Sequence, residues 1–193
     1  MRPESFDVER GEEWSRWVLE HGLPEFPGDR SIRVGEAVPV SYWVGPDTAA
    51  VLHVRIPPAD WRDAEEEPFA EYDVDCFVRT DDGWDCLGGG GSGPAPEPPL
   101  ARVDVPPRYA ALDGVVAGSA GETGVTARYG EVGTAASVVE LHQAGRVTRR
   151  PVSAPIGLQV VSGHHAEPFT VRVLDDRGEP LAEIDHPAGW DLD

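Results

Sequence analysis

The residue types best suited to bind a metal ion or move a proton gather towards the end of the chain. There Gly163-His164-His165-Ala166-Glu167 is followed further on by Asp185-His186. Adjacent imidazoles converge on one ion only from a loop, because neighbouring side chains of a strand point to opposite faces. A loop at 163–167 approached by Asp185 and His186 makes a mixed imidazole and carboxylate site. The candidate metal ligands are then His164, His165 and His186, and the chemistry is metal-assisted hydrolysis.

Other patterns carry less. The chain has no H-E-x-x-H, and its one Glu-x-x-His, Glu183 to His186, leaves a strand rather than lying on a helix. Ser92 has Gly90 two residues before it but Pro94 two after, where a nucleophile elbow needs glycine. Gly88, Gly90 and Gly93 match G-x-G-x-x-G, yet Pro94, Pro96, Pro98 and Pro99 preclude the helix that would receive a pyrophosphate. Asp175-Asp176-Arg177-Gly178-Glu179 lacks a calcium loop's length, and Asp73 with Asp75 reads as a solvated strand face. Cys76 and Cys86 form no C-x-x-C pair. No catalytic residue and no cofactor is therefore assigned.

The elements that must position these residues are mostly strands. Residues 11–21 carry Trp14, Trp17, Val18 and His21 at helical spacing, with Gly22 and Pro24 to stop an amphipathic helix. Val38, Val40, Tyr42 and Val44 alternate with Pro39, Ser41 and Trp43. The following turn, Gly45-Pro46-Asp47, leads to Leu52, Val54 and Ile56. Pro39 marks an edge strand or a late start. Asp60 to Glu67 reads as a helical turn or charged loop. Tyr72, Val74, Cys76 and Val78 then share a strand face, and the chain reverses at Asp81-Asp82-Gly83 towards Trp84, Cys86 and Leu87. A three-residue loop there puts both thiols on one face, a two-residue loop at Asp82-Gly83 on opposite faces, and free thiols are expected. Leu112 to Ala117 adds a strand. From Gly124 to Ile184 the alternation continues: Val125, Ala127, Tyr129, Val139 and Leu141 against Thr126, Arg128, Glu140 and His142, then Phe169, Val171 and Val173 before the Gly178 turn.

Composition bounds the rest. In 193 residues, 40% hydrophobic and 26% charged, there is core enough for one large or two small domains. All 16 cationic side chains are arginines and the chain contains no Asn. Lysine Schiff-base chemistry, a Walker lysine and N-glycosylation are thereby excluded. A net charge of -19 opposes direct binding to nucleic acid or to an anionic membrane through a basic surface. It also invites a protein partner with a basic surface, or mimicry of nucleic acid by carboxylates between Asp60 and Asp85. The N-terminus lacks an apolar signal region and no run approaches a membrane span, so a cytoplasmic protein is expected.

The short strands, the turns near Gly145 and Gly178 and the hairpin Val171-Arg172-Val173-Leu174-Asp175-Asp176-Arg177-Gly178 resemble immunoglobulin-like or fibronectin type III-like sandwiches over roughly 109–183. The stretch also looks like the C-terminal part of cytoplasmic proteins of unassigned function from GC-rich bacteria. The Cys/Trp/Cys signature of true immunoglobulin domains is absent, and the resemblance implies a fold without transferring a site. The expected architecture is a mainly β, antiparallel sandwich with an N-terminal helix. It divides into a helix plus a small β-rich region (1–87), a Gly/Pro-rich linker or crossover (88–108) and a C-terminal sandwich (109–193). The function that follows is a non-catalytic protein-binding or scaffold module, with a metal-assisted hydrolase and an acidic mimic as alternatives.

Overall fold

The computed structural model describes residues 5–25, 31–61, 67–91, 93–95, 103–152 and 156–189. Helix α1 (Gly11–His21) precedes strands β1 (Ala37–Val44), β2 (Thr48–Arg55), β3 (Glu71–Thr80) and β4 (Gly83–Gly90). Then come β5 (Ala110–Ala120), β6 (Thr123–Val132), β7 (Ala136–Gln143) and β8 (Arg146–Pro151), followed by β9 (Leu158–His164), β10 (Phe169–Asp175) and β11 (Pro180–His186). They pair antiparallel in three sheets, ordered β1-β2-β3-β4, β5-β6-β9 and β11-β10-β7-β8. The protein is thus mainly β with one N-terminal helix. Among the described residues no helix is long and apolar enough to cross a membrane.

Helix α1 spans the predicted residues and ends where Gly22, at φ +84°, turns its N–H back to the Val18 carbonyl. Eleven residues make a marginal helix in water, so its persistence comes from the face it buries. Val18 packs with Ala49, Val51, Phe77 and Trp84 on the outer side of the first sheet. Trp14 stacks on Phe6 at 4.3 Å and donates its indole N–H to the Ser5 carbonyl. Each such side chain removed from water contributes about 2–3 kcal/mol.

Strand β1 lies on the sheet edge, as Pro39 requires. The expected alternation does not run its whole length. A bulge between Pro39 and Ser41 shifts the register, so Trp43 rather than Tyr42 joins Val38 and Val40 in the main core. The β3–β4 loop is Asp81–Asp82, closed by Thr80 opposite Gly83, one residue shorter than the three-residue alternative and one residue earlier than the loop at Asp82-Gly83. Cys76 consequently points into the main core while Cys86, opposite Phe77, packs on the outer cluster, and both thiols are free. Burial pushes the Cys76 thiol up to about 12. A thiol reagent is expected to label Cys86 in the native protein and Cys76 only after unfolding; two native labels at equal rates would contradict this placement.

The glycine run that reads as the start of a linker is strand through Gly90. Gly89 and Gly90 pair with Asp75 and Val74, and a Cβ on Gly89 would stand 2.0 Å from the Val74 carbonyl oxygen. Asp60 falls in a single 3-10 turn, Ala59–Trp61; residues 62–66 and 96–102, which complete the expected charged loop and much of the expected linker, lie outside the described residues.

Sheet β5-β6-β9 meets both others. Its edge strands run alongside the first sheet, where Thr48 on β2 donates its hydroxyl to the Ser162 carbonyl on β9 and Gly118 on β5 lies against Leu87 of β4. On its other side Gln143 of β7 donates to the His164 carbonyl. Thr126 is therefore fully buried, where the alternation places an outward residue. One core cluster draws on all three sheets, from Val38 and Leu52 through Val125 and Leu158 to Val171.

Candidate functional site

One grouping in the fold brings together a hydroxyl, an imidazole and a carboxylate. Ser15 sits in the second turn of α1, on the face that packs against β2 and β3. His53 and Asp75 are diagonal neighbours on those strands, since His53 stands opposite Asp73 and Val51 opposite Asp75. The Ser15 Oγ lies 2.6 Å from His53 Nε2 and 2.6 Å from Asp75 Oδ2. Ser15 and His53 are fully buried, and the Asp75 side chain is 17% exposed.

One proton arrangement satisfies these contacts: the Ser15 hydroxyl donates to the Asp75 carboxylate and accepts from His53 Nε2–H. His53 Nδ1 is buried and makes no hydrogen bond, a cost that the contacts of Nε2 must offset. Burial alone would raise the Asp75 carboxyl. His53, Ser15 and the nearby Arg55 outweigh it and hold the group below its ordinary value. The neighbouring Asp73 goes the other way, raised by burial against the pull of Arg55 and His53. Arg55 bridges the rest of the row, at 2.7 Å to Glu71 and 2.9 Å to Asp73.

These residue types perform nucleophilic catalysis on many folds, but in a different order. A triad places imidazole between hydroxyl and carboxylate, with the acid on Nδ1 and the hydroxyl open to substrate. Here the carboxylate grips the hydroxyl directly, the acid lies 3.6 Å from the same imidazole nitrogen the hydroxyl uses, and Ser15 has no exposed surface. The group is a polar clamp between helix and sheet. It also turns the carboxylates of β3 inward, onto Arg55 and Ser15, so these three acids form no outward array.

The histidines singled out from the sequence occupy other ground. His164 is the last residue of β9 and His165 the first of the turn after it, so their side chains part. His164 faces Asp47 at 3.9 Å across a cleft of about 280 Å³ that Thr48, Gln143 and Glu167 also line. His165 Nδ1 lies 2.7 Å from the Thr126 hydroxyl. His186 is buried, stacked on Phe169, with Arg128 at 3.3 Å from its Nδ1. Burial, Arg128 and His165 together depress its pKa. Among the described residues no group of three or more His, Cys, Asp or Glu side chains is placed to hold a metal ion. Neither Ser15 nor His53 stands out in the sequence, since each is one polar residue inside an apolar pattern. The signal that was legible is a polar residue on the buried stripe of an amphipathic helix, where it needs a partner.

No protein-family model matches the chain, and no curated protein or solved structure does either.

Proposed function

We propose that this chain is a non-catalytic protein-binding or scaffold module of the bacterial cytosol, built on an immunoglobulin-like antiparallel sandwich. The observation that carries the reading is a set of exposed apolar side chains at one end of the first sheet. Val34 precedes β1, Trp61 follows β2 and Phe69 precedes β3; they are 52%, 52% and 44% exposed. The register brings those strand ends together, with Ala37 opposite Arg55 and Arg55 opposite Glu71. Gly35 further donates to the Ile56 carbonyl at 2.7 Å. Asp60 and Glu67, both exposed, neighbour Trp61 and Phe69 along the chain. An apolar, aromatic centre with an acidic rim suits a protein partner that offers an apolar pocket bordered by arginine or lysine. The clamp at Ser15 and the parting of His164 from His165 give hydrolysis no comparable support.

Exposed aromatics at an interface centre carry a disproportionate share of binding energy. The double variant Trp61→Ala, Phe69→Ala is expected to lose a specifically captured protein by roughly 30-fold or more in pull-downs from the native host. Its melting temperature should stay near that of the parent. Equal capture by parent and variant would refute the assignment of this end, and stoichiometric zinc by elemental analysis would refute the non-catalytic reading itself.

A further inference from the structure

Among the described residues the sheet β11-β10-β7-β8 ends on two strands, β8 and β11, that pair with no further strand and differ in charge. On β8 every residue but Thr148 is exposed, and its charged residues are Arg146, Arg149 and Arg150. On β11 the exposed charges are Glu183 and Asp185. One row of side chains crosses the whole sheet: Glu183 stands opposite Arg172, Arg172 opposite Glu140, and Glu140 opposite Arg149. Within it Arg172 meets Glu183 at 2.8 Å and Arg149 meets Glu140 at 2.6 Å. The row alternates acid and base and ends on an unlike charge at each edge.

We infer that this chain associates with further copies of itself edge to edge, β8 of one copy adding to β11 of the next. The geometry is permissive on three counts. Each step across the sheet is antiparallel, so β8 and β11 run in opposite senses. A copy displaced sideways and rotated by the sheet's twist therefore brings its β11 antiparallel to β8. The β7–β8 turn is Ala144–Gly145, closed by Gln143 and Arg146. In such a hairpin Val147 and Arg149 direct their backbone N–H and C=O groups away from β7, towards the free edge. Continuing the row sets Arg149 beside the next copy's Glu183, and the alternation carries on.

Charge also decides against the other pairings. Two β8 edges would set arginines against arginines and two β11 edges acids against acids, each destabilising in a cross-strand position. Pro151 ends β8 and Pro180 begins β11, which keeps the added ladder short. The contact is heterologous, so it builds open chains rather than closed dimers. The net charge of -19 on each copy opposes it at long range, and salt near physiological strength shortens that repulsion to about 8 Å. Assembly should therefore be weakest in very low salt, strongest at intermediate salt and weaker again near 1 M, where the edge ion pairs are screened. This inference is independent of the apolar end of the first sheet and survives if that assignment fails.

Sedimentation velocity on the full chain, from roughly micromolar to millimolar concentration, tests it. The wild type should show a weight-average coefficient that rises with concentration and does not level off at a dimer. Arg149→Glu and Glu183→Arg should each stay monomeric, because each sets like charges face to face where the row would continue into the next copy. Mixed in equal amounts they should regain assembly beyond two copies, in alternating order, since the β8 of each variant meets the β11 of the other with an unlike charge. Val147→Pro, which removes an outward N–H and leaves the charge row intact, should also abolish assembly while retaining the parent circular dichroism. A wild type that remains monomeric throughout overturns the inference. So does assembly that persists in Val147→Pro, or a mixture of the two charge variants that shows no mixed assembly.

Discussion

Asp75→Ala is expected to lower the unfolding free energy by about 3 kcal/mol and the melting temperature by on the order of 10 °C. The substitution removes the acceptor of the Ser15 hydroxyl and leaves His53, fully buried, facing a hydroxyl with no fixed partner. Both groups lost bulk water when α1 docked, so the penalty of leaving them unpaired exceeds the net worth of the bond itself. Ser15→Ala should cost less, about 1–2 kcal/mol, because the carboxylate keeps Arg55 nearby. The double variant should cost less than the sum, which marks one clamp rather than two contacts. The sign with pH follows from the depressed carboxyl: its stabilisation is fully present above the unfolded value near 4 and is lost as pH falls through the lower folded value. The gap between wild type and Asp75→Ala should therefore be full at pH 7 and narrow below about pH 4. Urea denaturation at both pH values reads this; a midpoint unmoved at pH 7 would show that helix and sheet hold together without the clamp.

What the sequence disclosed and what it hid divide along one physical line. Period and punctuation were legible wherever an element has one wet face. Trp14, Trp17 and Val18 with Gly22 behind them placed α1 to the residue, and Phe169, Val171 and Val173 with Gly178 placed β10 and its turn. Elements covered on both sides lose that rhythm. Strand β9, Leu158 to His164, is buried at every position but its last, so its sequence shows no alternation to mark it as a strand. Without that mark His164 and His165 look like a loop, where in the fold the end of a strand sends them apart. Contacts between distant segments were hidden for a different reason. Ser15 lies 38 residues from His53 and 60 from Asp75, and no local spacing encodes a meeting set by the docking of α1 across β2 and β3. The bulge at Pro39 belongs to the same class, because an inserted residue changes every later facing without altering composition.

Gly89, which the sequence places in a linker, is a position with no room for a side chain. Gly89→Ala should destabilise by about 3 kcal/mol or more, whereas Gly11→Ala should stabilise by about 0.5–1 kcal/mol. A β-carbon on Gly89 would come within 2.0 Å of the Val74 carbonyl oxygen and 2.9 Å of its carbon. Those atoms belong to the middle of β3, which pairs with β2 on its other side and carries Asp75 as its next residue. Relief therefore requires separating β4 from β3, which gives up ladder hydrogen bonds and moves the strand that anchors the clamp. Gly11 has φ -52° and ψ -46°, at the start of α1, and a β-carbon there meets nothing within 4 Å. Alanine at that position narrows the unfolded ensemble and favours the helix without any new contact. Thermal unfolding of the two variants separates a linker from a strand. If residues 88–91 were an unpacked connection, both alanines would be tolerated alike. Opposite signs, with Gly89→Ala also loosening the native protection of the β3 amides in hydrogen exchange, are the signature of backbone laid against backbone.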